Sequence, residues 1–424
     1  MLARHDSRVL HCSSPGSARL RAVTILTASP VRTSSNAAVN LASQPRMRDR
    51  NWSRRADALK FILYVQWVVY GQGGRFEVPS RNLPLYEEVG GAKMRAVVLD
   101  GSGSVEVREK PDPVPGAAEL VIAPEAVGIC GTDLHLVTGD YPTGAFPVVP
   151  GHEFAGTVVS AGPRVRGFAA GDRVCVDPNI PCGACAQCLA GATNLCPNLA
   201  AIGVTTDGAC AELVKVPAKV TYHLPDGLDA ATGALIEPLA CVLHARSRAG
   251  SFAGKRVLVY GAGSVGLLAT AYAKGDGARS VEVIEPRQVR RAAALEFGAD
   301  RADEPGARRG ERNVDLVIEA SGHPSAVADA LVRLGERGTL VQMGVVSPKA
   351  HVELFPYDLF DRELSIVGSQ SLATSYPEAV SAIGRLPGLA SRMVTHTFGL
   401  ADYAAALAAA SSDQARKVHI LPQR

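Results

Sequence analysis

The sequence predicts an α/β protein with two domains, one β-rich and one built on a doubly wound parallel sheet. Short apolar runs separated by Gly and Pro fill residues 94–225, a pattern typical of a barrel or sandwich. Apolar runs then alternate with helical segments as far as residue 343, which indicates a parallel sheet covered on both faces. A chain of 424 residues is also too long for one ordinary core.

The individual elements follow from these two patterns. In the β-rich part, strands are predicted at residues 119–127, 153–160 and 173–176. A helical segment at 230–249 leads into the alternating part, with predicted strands at 256–260, 280–284, 314–319 and 338–343 and helices at 265–274 and 287–297. The tail is predicted to carry one alanine-rich helix at 402–410 and a closing strand at 417–421.

The first 93 residues differ in composition from the rest. They hold 14 Lys and Arg against 6 Asp and Glu, whereas the remainder holds 30 against 35. Residues 1–56 are rich in Arg, Ser and Ala, which is also the composition of an organellar transit segment. We expect instead that residues 1–93 are a disordered extension or lie upstream of the true start, because a strand-like run begins at Met94. The apolar run 59–70 is shorter than the ~20 residues that cross a membrane.

A glycine turn follows the predicted strand 256–260. Gly261, Gly263 and Gly266, with Ser264 and Val265 before the last, form a G-x-G-x-x-G pattern that opens a helix. The first glycine makes the turn, the second lets the backbone approach a pyrophosphate, and the third lets helix and strand pack closely. The pattern indicates a dinucleotide site, with a tight turn that binds no ligand as the alternative.

Glu285 favours NAD as that dinucleotide. It follows the predicted strand 280–284, where a carboxylate binds the adenosine ribose hydroxyls and would repel a 2′-phosphate. Arg287, Arg290 and Arg291 follow, and arginines can hold a 2′-phosphate, so NADP is the less favoured alternative. Arg290 is kept as a candidate cofactor contact.

Four of the nine cysteines crowd into one loop, at Cys182, Cys185, Cys188 and Cys196. Four thiolates this close can surround one tetrahedral zinc ion, and such a site is structural because the protein fills all four places. An iron–sulfur cluster also uses four cysteines. Disulfides are the other alternative, although disulfide frameworks spread through small secreted chains. The clustering favours zinc and a reducing compartment.

A second metal site is predicted from residues further apart. Cys130, the pair His152 and Glu153, and Glu237 supply a thiolate, an imidazole and two carboxylates. Such a set can bind zinc while leaving a place open for substrate, as a catalytic zinc requires. Each residue alone has an ordinary explanation, since a lone buried cysteine is usually a small hydrophobe. The prediction therefore depends on their joint occurrence.

These motifs resemble those of the zinc-containing medium-chain dehydrogenase/reductase family. The similarity covers nearly all of residues 94–424, and its motifs are GICGTDLH at 128–135, PGHEFAG at 150–156, the four-cysteine loop, GAGSVG at 261–266 and EASG at 319–322. It implies a GroES-like catalytic domain at 94–246 and 373–424, with a Rossmann NAD-binding domain at 247–372 between the two parts.

Within that family, the run ALIEPLAC at 234–241 resembles the branch of polyol (sorbitol, iditol and arabinitol), butanediol and threonine dehydrogenases. The resemblance implies that Cys130, His152 and Glu153 bind the catalytic zinc, making two zinc ions per chain. It also implies that Glu237 either ligates this zinc or holds the zinc-bound water. Glu153 and Glu237 can exchange the roles of zinc ligand and holder of the water.

The resemblance assigns two further residues to the reaction. Thr132 corresponds to the hydroxyl that contacts the substrate oxygen, and His135 to the outer member of a proton relay. The implied reaction is hydride transfer from a secondary alcohol to NAD. A polyol or sugar alcohol is the expected substrate, because a second hydroxyl could compensate for a zinc ion softened by extra carboxylates. Threonine, butanediol or another secondary alcohol is the alternative, and a catalytically silent nucleotide-binding protein is the alternative of another class.

The expected partners are a small-molecule alcohol and, by the resemblance, further copies of the chain in a homodimer or homotetramer. No nucleic-acid partner is expected, because residues 177–198 around the cysteines contain no Lys or Arg. No membrane partner is expected either. The cytoplasm is the expected location, with organellar targeting by residues 1–56 as the alternative.

Overall fold

The computed structural model describes residues 92–139, 144–308 and 310–424. The predictions made for residues 1–91, including the extension and the apolar run 59–70, lie outside these residues. The strands in the described ranges are β1 (Lys93–Leu99), β2 (Val105–Pro111), β3 (Glu119–Gly128), β4 (Glu153–Ala161), β5 (Arg173–Val176), β6 (Asn179–Ile180), β7 (Ala200–Ala201), β8 (Val214–Pro217), β9 (Thr221–His223), β10 (Arg256–Tyr260), β11 (Ser280–Ile284), β12 (Arg301–Asp303), β13 (Val314–Glu319), β14 (Leu334–Gln342), β15 (Ser365–Gly368), β16 (Val394–Phe398) and β17 (Lys417–Ile420).

The helices in the same ranges are α1 (Gly131–Thr138), α2 (Ala186–Leu189), α3 (Ala230–Gly233), α4 (Ile236–Ala249), α5 (Ser264–Gly275), α6 (Gln288–Glu296), α7 (Pro324–Arg333), α8 (Pro356–Asp361), α9 (Tyr376–Ile383), α10 (Leu389–Met393) and α11 (Tyr403–Ala410). Short 3₁₀ turns lie at Thr193–Leu195, Ala218–Val220 and Leu400–Asp402. Among these described helices, none combines the length and the apolar character needed to cross a bilayer.

The β-rich domain is organised around a seven-stranded sheet. Its order is β16-β17-β3-β4-β5-β9, and β8 also pairs with β3. The pairs are antiparallel except β16 with β17. Because β17 comes from the C-terminal end of the chain and places His419 opposite Gly128 of β3, the tail completes the domain that residue 93 begins.

The second domain is a six-stranded parallel sheet of order β12-β11-β10-β13-β14-β15. Alternate residues of β10 enter two different apolar clusters, Val257 and Val259 in one and Leu258 and Tyr260 in the other. Both faces of the strand are therefore buried, which explains its continuous apolar sequence. The predicted α/β class is confirmed.

The strand order of the parallel sheet reverses beside β10. The chain passes from β10 to β11 on one side and later to β13 on the other. In doubly wound sheets, such a reversal leaves a crevice at the carboxyl ends of the strands, where ligands bind. The fold thus places the turn after Tyr260 at the mouth of that crevice.

Two predicted segments differ from the structure. The segment 230–249 is two helices, α3 and α4, because Pro238 in the first turn of α4 has no N–H to donate to the preceding turn. The tail contains α9 and α10 before its alanine-rich helix, so the prediction of one helix there was wrong. Pro377 in the first turn of α9 was a usable start signal.

Candidate active site

Cys130, His152 and Glu153 lie together at one end of the β3–β4 pair. β3 ends at Gly128, and Cys130 is the N-cap residue of α1. β4 begins at Glu153, which lies opposite Gly128 in the antiparallel register. One possible ligand atom from each of the three residues lies within 4.8 Å of the others. The fold therefore brings these three predicted metal ligands to one place.

Two glycines make room for this group. A Cβ atom on Gly128 would collide with the carboxylate of Glu153 and approach Cε of Lys417 to 2.8 Å. Gly151 has a φ of +97°, and a Cβ there would lie 2.8 Å from Cys210 Sγ. A side chain at residue 128 would displace the Glu153 carboxylate, and one at residue 151, next to His152, would collide with Cys210, so both positions require glycine.

Asp133 was not among the predicted site residues, yet it supports the group from α1. It is 1% exposed, its Oδ2 accepts a hydrogen bond from the Cys130 N–H at 2.8 Å, and its Oδ1 lies 3.7 Å from His152 Nδ1. Burial raises the pKa of the Asp133 carboxyl, although the facing His152 opposes the shift. At this distance Asp133 acts on the His152 ring through its charge and not through a hydrogen bond. The signal was in the sequence, as an acid three residues after a predicted ligand.

The pKa of His152 reflects this surrounding charge. Burial disfavours protonation of the imidazole, but Asp133 and the Cys130 thiol outweigh burial and hold the pKa of His152 well above its usual value. The site is thus arranged to hold positive charge beside a thiol and carboxylates, which is the environment that a divalent cation requires.

Lys417 is the second residue that was not predicted. It lies in β17, and its ammonium pairs with Glu153 Oε2, both side chains being 2% exposed. Burial opposes the charge on the lysine, but Glu153 and Cys130 outweigh it and raise the pKa of Lys417. The pair fixes the position of the Glu153 carboxylate. Nothing in the local sequence of the closing strand indicates this role.

Glu237 lies near the group of three but is not part of it. It is in the first turn of α4 and is 8% exposed, and the thiol of Cys241, one turn later, lies 3.7 Å from its Oε1. Burial and the charge of Glu153 raise the pKa of Glu237 to about 7. Its predicted roles as ligand or holder of water stay predictions.

Thr132 and His135 lie on α1, directly after Cys130. The Thr132 hydroxyl is 3.9 Å from Cys130 Sγ, so it lies beside the predicted metal ligands. His135 is exposed and follows three residues later, on the same side of the helix as Thr132. This order, from the half-buried thiol to the exposed imidazole, is suitable for moving a proton outward.

The cysteine loop forms a second group. The Sγ atoms of its four cysteines lie within 4.8 Å of one another, and those of Cys182 and Cys188 are 3.9 Å apart. Sulfurs bound at ~2.3 Å around a tetrahedral zinc are about 3.8 Å apart. The backbone N–H groups of Ala184 and Cys185 lower the pKa of Cys182 to about 6, which favours its thiolate, whereas burial and the neighbouring Cys185 raise the pKa of Cys188. The spacing and chemistry of this loop fit one zinc ion.

The group at Cys130 also fits zinc, but with a different coordination. Among the described residues, the thiol of Cys130, the imidazole of His152 and the carboxylate of Glu153 each bring one ligand atom to within 4.8 Å of the others. A thiolate, an imidazole and a carboxylate are all zinc ligands, and three protein ligands leave a fourth place open. The group at Cys130 thus offers three protein ligands, as catalytic zinc sites do, and the cysteine loop offers four, as structural zinc sites do.

The glycine turn lies at the carboxyl end of β10. Gly261 has a φ of +92°, and a Cβ atom on Gly266 would collide with the carbonyl oxygen of Gly261. Gly263 is the N-cap residue of α5, which begins with Ser264 and Val265. Backbone N–H groups at this helix N-terminus can bind phosphate.

Glu285 follows β11 and is 3% exposed. Its carboxylate accepts hydrogen bonds from the N–H groups of Ala262, at 2.9 Å, and Arg287, at 3.0 Å. Because Ala262 belongs to the glycine turn, the carboxylate lies where the ribose of a bound dinucleotide is expected. Arg290 lies on α6 and donates to the carbonyl oxygen of Ser412 at 3.0 Å.

One short segment of the tail links the two sites. The hydroxyl of Ser264, at the start of α5, donates to the carbonyl oxygen of Arg416 at 2.7 Å. The next residue is Lys417, which pairs with Glu153. The dinucleotide turn and one of the predicted metal ligands are therefore linked through two consecutive residues of the tail.

Comparison with known proteins identifies the family. An alcohol dehydrogenase GroES-like domain matches residues 116–226, and a zinc-binding dehydrogenase domain matches residues 264–385. The chain is 36% identical over 325 residues to D-altritol 5-dehydrogenase of Agrobacterium fabrum, covering 73% of this chain and 94% of that protein. It is 33% identical over 343 residues to a sorbitol dehydrogenase of Halalkalibacterium halodurans, covering 78% and 99% respectively. The chain belongs to the zinc-binding alcohol dehydrogenase family.

A solved structure agrees with this assignment. A zinc-binding dehydrogenase of Sinorhizobium meliloti 1021 bound to NADP has a TM-score of 0.74 and 37% identity, with 78% of this chain and 100% of that chain covered. The resemblance to zinc-containing medium-chain dehydrogenases and the GroES-like plus Rossmann fold are confirmed. This zinc-binding alcohol dehydrogenase is an oxidoreductase that acts on CH–OH donors.

Proposed function

We propose that this dehydrogenase oxidises a secondary hydroxyl of a polyol or sugar alcohol and uses NAD as the hydride acceptor. The observation that carries the proposal is the meeting of Cys130, His152 and Glu153 beside the glycine turn. We propose two zinc ions per chain, one held by these three residues with Glu237 nearby and one by the four-cysteine loop.

The substrate class follows from the charge of the metal group. Glu153 belongs to a group that also contains a thiolate, and Glu237 lies near that group; negative ligands weaken a zinc ion as a Lewis acid. A substrate with neighbouring hydroxyls can supply a second oxygen to the metal. D-altritol and sorbitol, named in two relatives, are substrates of this kind.

The chain's own residues have separate parts in the reaction. When bound, zinc lowers the pKa of the substrate hydroxyl and NAD accepts the hydride. Asp133 orients His152, and Lys417 holds Glu153. As Thr132 Oγ1 accepts the proton of the substrate hydroxyl, it releases its own proton; a ring nitrogen of His135, exposed on the same helix, takes up the released proton and passes it to solvent.

NAD is proposed over NADP because of Glu285. Its buried carboxylate, bonded to the Ala262 N–H, places a negative charge beside the expected ribose. A 2′-phosphate there would be repelled. Because the Sinorhizobium relative was solved with NADP bound, the ratio of kcat/KM with NAD to that with NADP measures this preference directly.

The test is reduction of NAD and of NADP by the full-length chain with a substrate panel. The panel contains D-altritol, sorbitol, 2,3-butanediol, L-threonine and a simple primary alcohol. We expect the highest kcat/KM with a polyol and NAD. A higher kcat/KM with threonine or butanediol would favour the alternative substrates, and reduction of neither cofactor by any of them would favour a catalytically silent nucleotide-binding protein.

We also propose that the chain forms a homodimer or homotetramer in the cytoplasm. β15 is an edge strand of the parallel sheet, and apolar side chains are exposed on it and on the preceding helix α8, including Ile366 and Phe360. Open edges and apolar patches favour association between chains. The clustering of four cysteines into one loop, which favours a metal over disulfides, supports a reducing compartment.

A further inference from the structure

Three arginines follow Glu285, and each already has a partner. Arg291 donates to the carbonyl oxygens of Glu285 and Pro286, at 2.9 and 2.7 Å. Arg290 donates to the carbonyl oxygen of Ser412. Arg287 pairs through Nε with Asp413 Oδ1 at 2.5 Å. The partners of Arg290 and Arg291 are neutral carbonyl groups, whereas the partner of Arg287 is the charged carboxylate of Asp413.

Asp413 comes from another part of the chain than the arginines. It follows α11 in the β-rich domain, whereas Arg287 lies between β11 and α6 of the parallel-sheet domain. The backbone N–H of Arg287 donates to Glu285 Oε1. Arg287 is thus held directly beside the carboxylate that is expected to bind the ribose. Asp413 therefore pairs with an arginine whose backbone is bonded to the carboxylate expected to bind the ribose.

We propose that Asp413 is a specificity-determining residue that selects against a 2′-phosphate by occupying the guanidinium of Arg287. The inference depends on the proposed NAD site at Glu285. A guanidinium is the usual protein partner of a phosphate dianion, and its fork geometry suits that contact. With Asp413 in place, the charge of Arg287 is neutralised, and a 2′-phosphate would meet the Glu285 carboxylate without a free guanidinium from Arg287 beside it.

The pair is exposed, so it can be changed without unfolding the protein. The side chains of Arg287 and Asp413 are 45% and 60% exposed, and exposed ion pairs contribute little to folding. Replacement of Asp413 should leave the fold intact while it frees Arg287. Selectivity would then be set partly by the β-rich domain, outside the dinucleotide fingerprint.

The experiment compares binding of 5′-AMP and adenosine 2′,5′-bisphosphate by calorimetry, with the full-length wild type and Asp413→Asn. We expect the variant to bind the bisphosphate about tenfold more tightly, as one new charge-assisted contact implies. Its affinity for 5′-AMP should stay within about twofold. The NADP-to-NAD ratio of kcat/KM should rise in the same proportion.

Two further variants test whether the gain in bisphosphate affinity comes from Arg287 itself. Glu296→Gln removes a different ion pair between α6 and the tail, Glu296 with Arg416, and should leave the bisphosphate affinity unchanged. Arg287→Met combined with Asp413→Asn should abolish the gain. An unchanged affinity in Asp413→Asn, an equal gain in Glu296→Gln, or a gain that survives loss of Arg287 would overturn the inference. A wild type that prefers NADP would instead refute the proposed NAD specificity itself.

Discussion

Two buried charged residues, Asp133 and Lys417, determine how the predicted metal ligands are held. Each contacts a different ligand, Asp133 facing His152 and Lys417 pairing with Glu153. Removing one partner of a buried pair leaves an uncompensated charge, which is far more destabilising than removing both. The ligand geometry therefore depends on residues that bind no metal themselves.

Lys417→Met tests whether Lys417 holds the Glu153 carboxylate in place. The variant leaves Glu153 buried and unpaired, so the unfolding free energy should fall by about 3–5 kcal/mol in chelator-treated protein at pH 8. The measurement is urea unfolding. Adding Glu153→Gln to Lys417→Met removes the lone charge and should recover most of the loss. A single variant as stable as the wild type would show that the pair does not hold Glu153.

The sequence predicted the ligands at this scale but not their supports. Cys130, His152 and Glu153 stand in compact motifs whose residue types suit zinc. Asp133 lies inside one of these motifs and could have been found by asking which carboxylate orients the histidine. Lys417 could not have been found, because only the pairing of β17 with β3 brings it to Glu153.

At the scale of elements, the cysteine loop is fastened to the segment where the chain leaves the parallel sheet. Asn194, between Cys188 and Cys196, donates to the carbonyl oxygen of Gln370 at 2.7 Å and to its Oε1 at 3.0 Å. Ser371 and Ala373, just beyond, have φ values of 56° and 45°. Residues other than glycine rarely adopt such angles without support from their surroundings. The loop therefore supports a strained connection between domains.

Asn194→Ala should weaken that support. Loss of two hydrogen bonds from a buried amide should lower the unfolding free energy by about 1–2 kcal/mol and make residues 369–373 exchange amide hydrogens faster. Thermal unfolding and hydrogen exchange measure the two effects. The matched control is Asn198→Ala, at an exposed asparagine of the same loop, which should change stability by less than about 0.5 kcal/mol. Equal behaviour of the two variants would argue against the role given to Asn194.

At the scale of the whole molecule, the sequence predicted the two kinds of sheet and not the contacts between them. Strand periodicity reports how a segment is buried, so β10, β11 and β13 were predicted at their observed bounds. It does not report which segment from elsewhere in the chain packs against that strand. The contacts of Ser264 with Arg416 and of Arg287 with Asp413 join residues far apart in the chain, so only the folded arrangement reveals them.

The central claim is that a zinc ion with an open place lies between Cys130 and His152, next to the cofactor turn. Anomalous scattering at the zinc edge, measured on crystals of the purified protein, tests it most directly. We expect one peak among the four sulfurs of the cysteine loop and another about 2.0–2.3 Å from Cys130 Sγ and a ring nitrogen of His152. A map with the first peak and no density between Cys130 and His152 would contradict the account.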